Sequence, residues 1–410
     1  MNKLISNELV FVPLGGAGEI GMNLNLYGYK GHWLIVDLGI TFADAAYPGV
    51  DIILPDPTFI VERRKKLLGI FLTHAHEDHV GAIPYLWERL GCPIYATSYT
   101  AALVQRKLEH VGLDAECDIR TVSYRTPFRV GPFELTYINI THSIPESSAV
   151  LIRTDVALVV HSGDWKLDPE PLVGERTDES FFREVGDMGV DALICDSTNV
   201  FRRGDSGSEA EVLASIKLLM ADRPGRIVVT TFASNIARIR SIALVAKELD
   251  RQIALIGRSL WQSVELAQAC GYLGDLPRIL NESEAAQVPP SKLVLLCTGC
   301  QGEPNGAMSR IAFEHHRRIQ LDRADVAIFS SKMIPGNERS IGRMLNQLVL
   351  KGVEVITERD ALVHVSGHPS RDELQRLYSW IKPRALVPVH GEAVHISQHA
   401  RYAESLGIPT

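Results

Sequence analysis

The sequence predicts an α/β protein in two parts: a sandwich of two sheets with helices outside, interrupted by an inserted α/β domain built on a parallel sheet. Three observations carry this. Short apolar, β-rich runs crowd the first 165 residues with few helical patterns between them. From about Ser208 the chain changes to strict alternation of helix and strand. The last sixty residues then return to strand-to-loop-to-helix units whose loops carry histidine. A chain of 410 residues also exceeds one ordinary core, so two or three domains are the starting expectation.

In the first part LVFVPL, NLNLYGY, HWLIVDLG, LLGIFLTH, PIYATS, FELTYINIT, AVLIRT and ALVVHSGD read as strands, and residues 82–90 and 100–111 read as helices. Sheet-rich halves with helices packed outside suit an αββα sandwich. In the second part helices are expected over residues 209–221, 236–249, 260–271 and 338–351. Strands are expected over 226–232, 252–256, 292–298, 325–331 and 353–357. Helix and strand in alternation make a βαβ pattern and a parallel sheet. The boundaries expected are 1–205 for the sandwich, 206–352 for the insert and 353–410 for a return segment, closed by a helix over 393–406.

Composition excludes several classes. With 46% hydrophobic, 22% charged and 7% aromatic residues the chain is not disordered. A net charge of -7 means that any phosphate-binding surface is local, not global. The N-terminus MNKLISNELVFVPLGG lacks a basic segment followed by a long apolar core, so no signal peptide is expected. No apolar run approaches the ~18–20 residues of a membrane span. The six cysteines are scattered in apolar stretches, which points to buried thiols in a reducing cytoplasm rather than a disulfide framework.

The chemistry lies in residues 74–79. A buried-strand pattern over 67–73 runs into His74-Ala75-His76-Glu77-Asp78-His79, and residues 80–90 look helical. Three imidazoles and a carboxylate at a strand-to-helix turn can converge on one cation. Three further groups each follow an apolar strand: His142 after FELTYINIT, Asp164 after ALVVHSG and His390 after ALVPV. Strand ends along one edge of a sheet are where a site gathers its groups.

HAHEDH is the HxHxDH signature of the metallo-β-lactamase superfamily. The stretches PLGGAGEIGMN, VDLGITF, HSIPESSAV, SGDWK, CDSTN, TFASNIARI, TGCQGEP, IPGNE, HVSGHPSRDEL and PVHGE are spread from residue 13 to residue 392. Across them the chain resembles the β-CASP nucleases, and among those ribonuclease J. The resemblance implies a metallo-β-lactamase sandwich with an inserted β-CASP domain, and two divalent metal ions, Zn²⁺ or Mn²⁺. His74, His76 and His142 would hold the first ion; Asp78, His79 and His390 the second; and Asp164 would bridge, leaving room for a water or hydroxide. Asp37, closing the strand HWLIVD, would hydrogen-bond a ligand histidine from behind.

His364-Val365-Ser366-Gly367-His368 lies between a strand and a helix, and Ser370 with Glu373 fits a capping box, so the free N–H groups from Pro369 onward favour an anion. By resemblance this segment grips the RNA phosphate, and His368 is the proton donor to the leaving oxygen, alongside Asp78 and Asp164 as catalytic groups. Phe232-Ala233-Ser234 would bind the terminal phosphate and base, and Asp196 would position the neighbourhood of Asp164 or His368.

Other signals read more simply. Gly16-x-Gly18-x-x-Gly21 precedes a strand pattern, not the helix that dinucleotide binding requires. Cys297-x-x-Cys300 has no partner pair and reads as buried thiols. Arg63-Arg64-Lys65-Lys66 reads as a solvated face that could also guide RNA.

The function implied is a ribonuclease, 5′-to-3′ exonucleolytic on 5′-monophosphorylated RNA and also endonucleolytic, serving RNA maturation and decay. A small-molecule hydrolase of the same fold would not need an insert of roughly 150 residues, and a catalytically silent RNA-binding subunit would not keep all seven ligands. Ribonuclease J proteins usually continue into a further C-terminal domain. The expectation from a chain that stops at Thr410 is a fragment, with a homodimer left open.

Overall fold

In the computed structural model residues 7–43 and 47–410 are described; the first six residues of the stretch read for a leader lie outside them. The chain forms two compact units. One comprises residues up to 168, 175–206 and 367–410; the other comprises 169–174 and 207–366.

The first unit is a sandwich of two six-stranded sheets. The first sheet runs Val10–Gly15, Leu24–Tyr29, His32–Val36, Leu67–Phe71, Ile94–Ala96 and Ile119–Thr121. It is antiparallel up to His32–Val36 and parallel beyond. The second runs Ala385–Val389, Ala192–Asp196, Leu158–His161, Ser148–Arg153, Phe133–Asn139 and Phe128–Val130, with its first three strands parallel. Alternate residues face inward. Leu34, Val36 and Phe71 of one sheet pack on Leu135, Val150, Val159 and Ile194 of the other to make the inner layer. The opposite faces bury Leu26, Ile35 and Ile70 beneath helix Ile83–Leu90, and Leu193 and Val160 beneath Glu179–Asp187 and Arg371–Ile381. Each aliphatic side chain so covered stabilises by roughly 1.5–3 kcal/mol.

The second unit is an all-parallel sheet in the order Ile279–Leu280, Gln252–Ile256, Leu293–Cys297, Ile227–Thr230, Val326–Phe329, Glu354–Ile356. Its strands are near-continuous apolar runs because helices cover a parallel sheet. A capping box at Ser208, answered by Glu211, starts helix Glu209–Met220.

Two expectations need correction, and two strands were not anticipated. The helix over residues 80–90 is two, Glu77–Val80 and Ile83–Leu90, because Pro84 in the first turn of the second begins a new helix. The return to the sandwich falls at Gly367, not at 353: Glu354–Ile356 pairs with Val326–Phe329 and closes the edge of the inserted sheet. The strands Ile119–Thr121 and Phe128–Val130 had no apolar run to mark them, since both are short and largely solvated.

Candidate metal centre

Four strands of the sandwich deliver their carboxyl ends to the site: Leu67–Phe71 ahead of His74, Phe133–Asn139 ahead of His142, Leu158–His161 ahead of Asp164, and Ala385–Val389 directly ahead of His390. His76, in extended conformation, caps the short helix Glu77–Val80, which places Asp78 and His79 on its first turn. The backbone of that turn is tied down. Asn23 N–H donates to Asp78 O at 3.0 Å, Leu38 N–H to His79 O at 2.7 Å and Ile40 N–H to Glu77 O at 3.0 Å. Gly39 lies so close that a Cβ there would stand 1.7 Å from the Asp78 carbonyl oxygen.

Two clusters result. In the first, His76 Nδ1 lies 3.0 Å from His74 Nε2 and 3.0 Å from His142 Nε2. In the second, Asp164 Oδ2 lies 3.1 Å from His79 Nε2 and 3.3 Å from His390 Nε2, and Asp78 Oδ2 lies 3.5 and 3.6 Å from the same two nitrogens. Asp164 Oδ2 is also 4.0 Å from His74 Nε2, so this carboxylate adjoins both clusters.

The outward faces of the rings are fixed by hydrogen bonds. His142 Nδ1 donates to Gly367 O at 2.6 Å, an approach that a Cβ on Gly367 would block by standing 2.7 Å from the ring. His79 Nδ1 donates to Asp37 Oδ2 at 2.7 Å. Asp37 also accepts from Thr73 N–H and Thr73 Oγ1, both at 2.8 Å, and Thr73 Oγ1 in turn lies 3.0 Å from His74 Nδ1. Asn23 meets His390 Nδ1 at 3.1 Å. Asp37, buried completely, thus reaches a ring in each cluster.

Burial lowers the pKa of His74 and His142 well below the usual imidazole range and takes His76 to about 4, outweighing the nearby carboxylates. His79 is opposite: burial works against its proton, but Asp164, Asp78 and Asp37 raise it well above the usual value. Burial would raise Asp164, yet His390, His79 and His368 hold it well below the carboxylate range.

This donor set fits divalent cations. With the proton of His142 on Nδ1, its Nε2 is a bare lone pair facing His76 Nδ1, and His76 Nδ1 can donate to only one of its two neighbours. Nitrogens of one tetrahedral zinc shell stand about 3.3 Å apart, given bonds of 2.0–2.1 Å. In the second cluster Asp164 Oδ1 and His390 Nε2 are buried without a hydrogen-bond partner among the described residues.

His368 stands beside the clusters. Its Nδ1 donates to Asp196 Oδ2 at 2.8 Å and lies 3.8 Å from Asp164 Oδ2. Burial disfavours its proton, but Asp196 and Asp164 push its pKa up to about 9. Asp196 accepts from Thr198 N–H at 2.8 Å through its other oxygen. Gly367 and His368 belong to the sandwich unit, whereas His364, Val365 and Ser366 belong to the inserted unit. Phe232, Ala233 and Ser234 also lie in the inserted unit, past the carboxyl end of Ile227–Thr230 and ahead of helix Ile236–Glu248. Beneath them the wholly buried Arg238 pairs with Glu209 at 2.9 Å and donates to the Val363 carbonyl at 2.7 Å.

The glycine-rich stretch has a use that its motif did not suggest. His390 N–H donates to Gly16 O at 2.6 Å, and Gly18 N–H to Gly391 O at 3.0 Å, so this loop holds the His390 turn. Cys297 and Cys300 are buried free thiols, with burial pushing Cys300 up to about 12. Arg64, Lys65 and Lys66 are solvated, and Arg63 lies over the Phe59 ring at 3.9 Å. Asn23, Thr73 and the Gly367 carbonyl were not read from the sequence, and Glu373, read there as a capping-box residue, does more than cap. Glu373 accepts from Leu167 N–H, Ser206 N–H, Ser206 Oγ and Ser370 N–H, each at 2.8 Å, and so pins the loops around Asp164 and His368.

A sandwich of two sheets with adjoining histidine and carboxylate clusters at its strand ends defines a metallo-hydrolase of the metallo-β-lactamase fold. Residues 32–196 match the beta-lactamase superfamily domain, 224–348 the ribonuclease J beta-CASP domain, and 352–410 the Zn-dependent metallo-hydrolase RNA specificity domain. The chain belongs to the ribonuclease J family. It is 47% identical to ribonuclease J of Sinorhizobium meliloti over 98% of this chain and 72% of the relative, and 41% identical to that of Mycolicibacterium smegmatis over 99% and 73%. It spans 56% of the Corynebacterium glutamicum ribonuclease J, at 39% identity. A protein of unknown function from Enterococcus faecalis shares the fold, with a TM-score of 0.64 and 15% identity over 95% of this chain and 96% of the other.

Proposed function

We propose that this metal-dependent ribonuclease hydrolyses RNA phosphodiester bonds with two divalent cations, Zn²⁺ or Mn²⁺, and that it acts both 5′-to-3′ from a monophosphorylated end and internally. The observation that carries the reading is the pair of adjoining clusters sharing Asp164. His74, His76 and His142 would hold one ion and Asp78, His79 and His390 the other, with Asp164 adjoining both clusters. When bound, the cations would supply an activated water and positive charge against that developing on the phosphate.

The chain's own groups do the rest. Asp37 keeps the His79 proton on Nδ1, leaving Nε2 free to ligate. Asp196 does the same for His368, so its Nε2 proton faces outward and can pass to the leaving 3′ oxygen. Ser234 and Ser366, with the backbone N–H groups of Phe232-Ala233-Ser234 and His364-Val365-Ser366-Gly367-His368, bind the RNA phosphates, including a 5′-terminal one. Free, mostly buried thiols suit a reducing cytoplasm and a role in RNA maturation and decay.

Purified protein with added Zn²⁺ or Mn²⁺ should release mononucleotides from 5′-monophosphorylated RNA faster than from 5′-triphosphorylated RNA, and should cut circular RNA of the same sequence. Ser366→Ala should weaken the first activity much more than the last. Equal losses on linear and circular RNA would assign Ser366 to the scissile phosphate or to the fold.

A further inference from the structure

We infer that the loop over residues 197–203 carries an aromatic platform, Phe201 with His395, on which a base of the single-stranded RNA substrate stacks beside the metal centre, while Arg202 and Arg203 hold the adjoining phosphates. This rests on the ribonuclease reading and adds to it a place for the bases.

Phe201 is 54% exposed, and its ring meets His395 edge-on at 5.4 Å between centroids and 70° between planes. Val394, at the start of the same helix as His395, is 58% exposed. Arg202 and Arg203 are exposed, and among the described residues neither enters an ion pair. A scattered exposed phenylalanine needs no explanation. This one differs because its loop is held by several hydrogen bonds while its half-exposed ring meets the His395 ring edge-on.

The restraints are specific. Val200 N–H donates to Ser197 O at 3.1 Å and Arg202 N–H to Asn199 O at 2.8 Å. Arg371 grips the loop twice, from Nε to Val200 O at 2.8 Å and from N–H to Arg202 O at 3.0 Å. Two further bonds reach the catalytic groups themselves. Thr198 Oγ1 donates to His390 O at 3.1 Å, and Asn199 Nδ2 donates to His368 O at 2.9 Å. The backbone that carries the ring is therefore tied to the main chain at His390 and His368.

A half-exposed aromatic ring followed in the chain by two exposed arginines, neither in an ion pair among the described residues, is a combination that binds unpaired bases without sequence preference. Little ordering entropy remains to be lost on binding, which favours a rigid platform over a mobile side chain. A base in a duplex has no free face to offer, so the ligand is single-stranded.

The test uses Phe201→Ala, Phe201→Trp, Arg202→Gln and Arg203→Gln in the full chain. Phe201→Ala should raise KM for single-stranded RNA roughly tenfold, from the usual worth of one base stack, and Phe201→Trp should restore it. A 2-aminopurine oligoribonucleotide, mixed rapidly and read before cleavage, should lose fluorescence with wild type and Phe201→Trp and much less with Phe201→Ala. Each arginine variant should reduce the salt dependence of binding by roughly 0.7 in log–log slope. Bound metal should be the same in all variants. Unchanged KM and quenching in Phe201→Ala overturns the platform, as does Phe201→Trp behaving like alanine; a surface kept for a protein partner would give that unchanged result. Quenching by a wild type that does not cleave RNA would sink the ribonuclease reading while leaving the platform standing.

Discussion

The two halves of the metal centre solve the same problem with opposite electrostatics. The half formed by His74, His76 and His142 contains only imidazoles, and burial keeps them neutral and ready to donate lone pairs. The half formed by Asp78, His79, Asp164 and His390 has two carboxylates, whose charge draws a proton onto His79 in the absence of a cation. On the two-cation reading the first half would attract a metal by donor number and geometry. The second would attract it by charge, and a proton competes for the same place. Asp164 and Asp37 are the two carboxylates that connect the halves, one between them and one behind.

The largest effect should come from Asp164→Ala, which removes the shared group. Loss of several kcal/mol of charge stabilisation corresponds to on the order of 10³-fold or more in rate, and metal analysis should find both ions depleted. His142→Ala should deplete the first half only. If Asp164→Ala loses a single ion, the halves are independent.

Asp37→Asn comes next. Groups that orient a ligand from behind are worth about 10- to 100-fold in metal affinity or activity, and the loss should appear in both halves, because Asp37 reaches His79 directly and His74 through Thr73. A defect confined to one ion would break the link.

The pH dependence sharpens the contrast further. With its pKa raised well above the ordinary value by Asp164, Asp78 and Asp37, His79 favours a second proton, on Nε2, which a cation entering the second half would have to displace. Affinity there should fall about tenfold for each pH unit lost. His76 titrates at about 4, so the first half should bind evenly between pH 6 and 8. Calorimetric metal titration at those two pH values would separate one flat site from one steep site; two parallel slopes would refute the distinction.

Thr73→Val should have the smallest effect. It removes one hydrogen bond to Asp37 and the contact to His74, about 1 kcal/mol or roughly fivefold in affinity for the first ion, with the second little changed.

Much of this centre was legible because its nucleus is local: four of seven ligand-type residues lie within six positions, and three more end apolar strands. The alternation beyond Ser208 was equally plain, and Gln252–Ile256 runs over the span its pattern marks. What escaped were the groups that orient the rings. Asn23 looks like any polar residue before a strand until His390, far along the chain, is brought to its amide. Thr73 is an ordinary strand-end residue until it is set behind His74, whereas Asp37, expected to hydrogen-bond a histidine from behind, does so at His79. The segment after residue 352 was misassigned because an apolar strand pattern carries no mark of which sheet it will join.

The sequence by itself determined the kinds of chemistry present, imidazoles and carboxylates at strand ends, and the period of each element, because both are local properties of the chain. Only the tertiary structure decided which groups stand within 4 Å of one another, and which carboxylate stands behind which histidine. Those depend on distances of 3 to 4 Å between residues as far apart as Asn23 and His390. Such distances are set when two sheets pack face to face and bring their strand ends to a common edge.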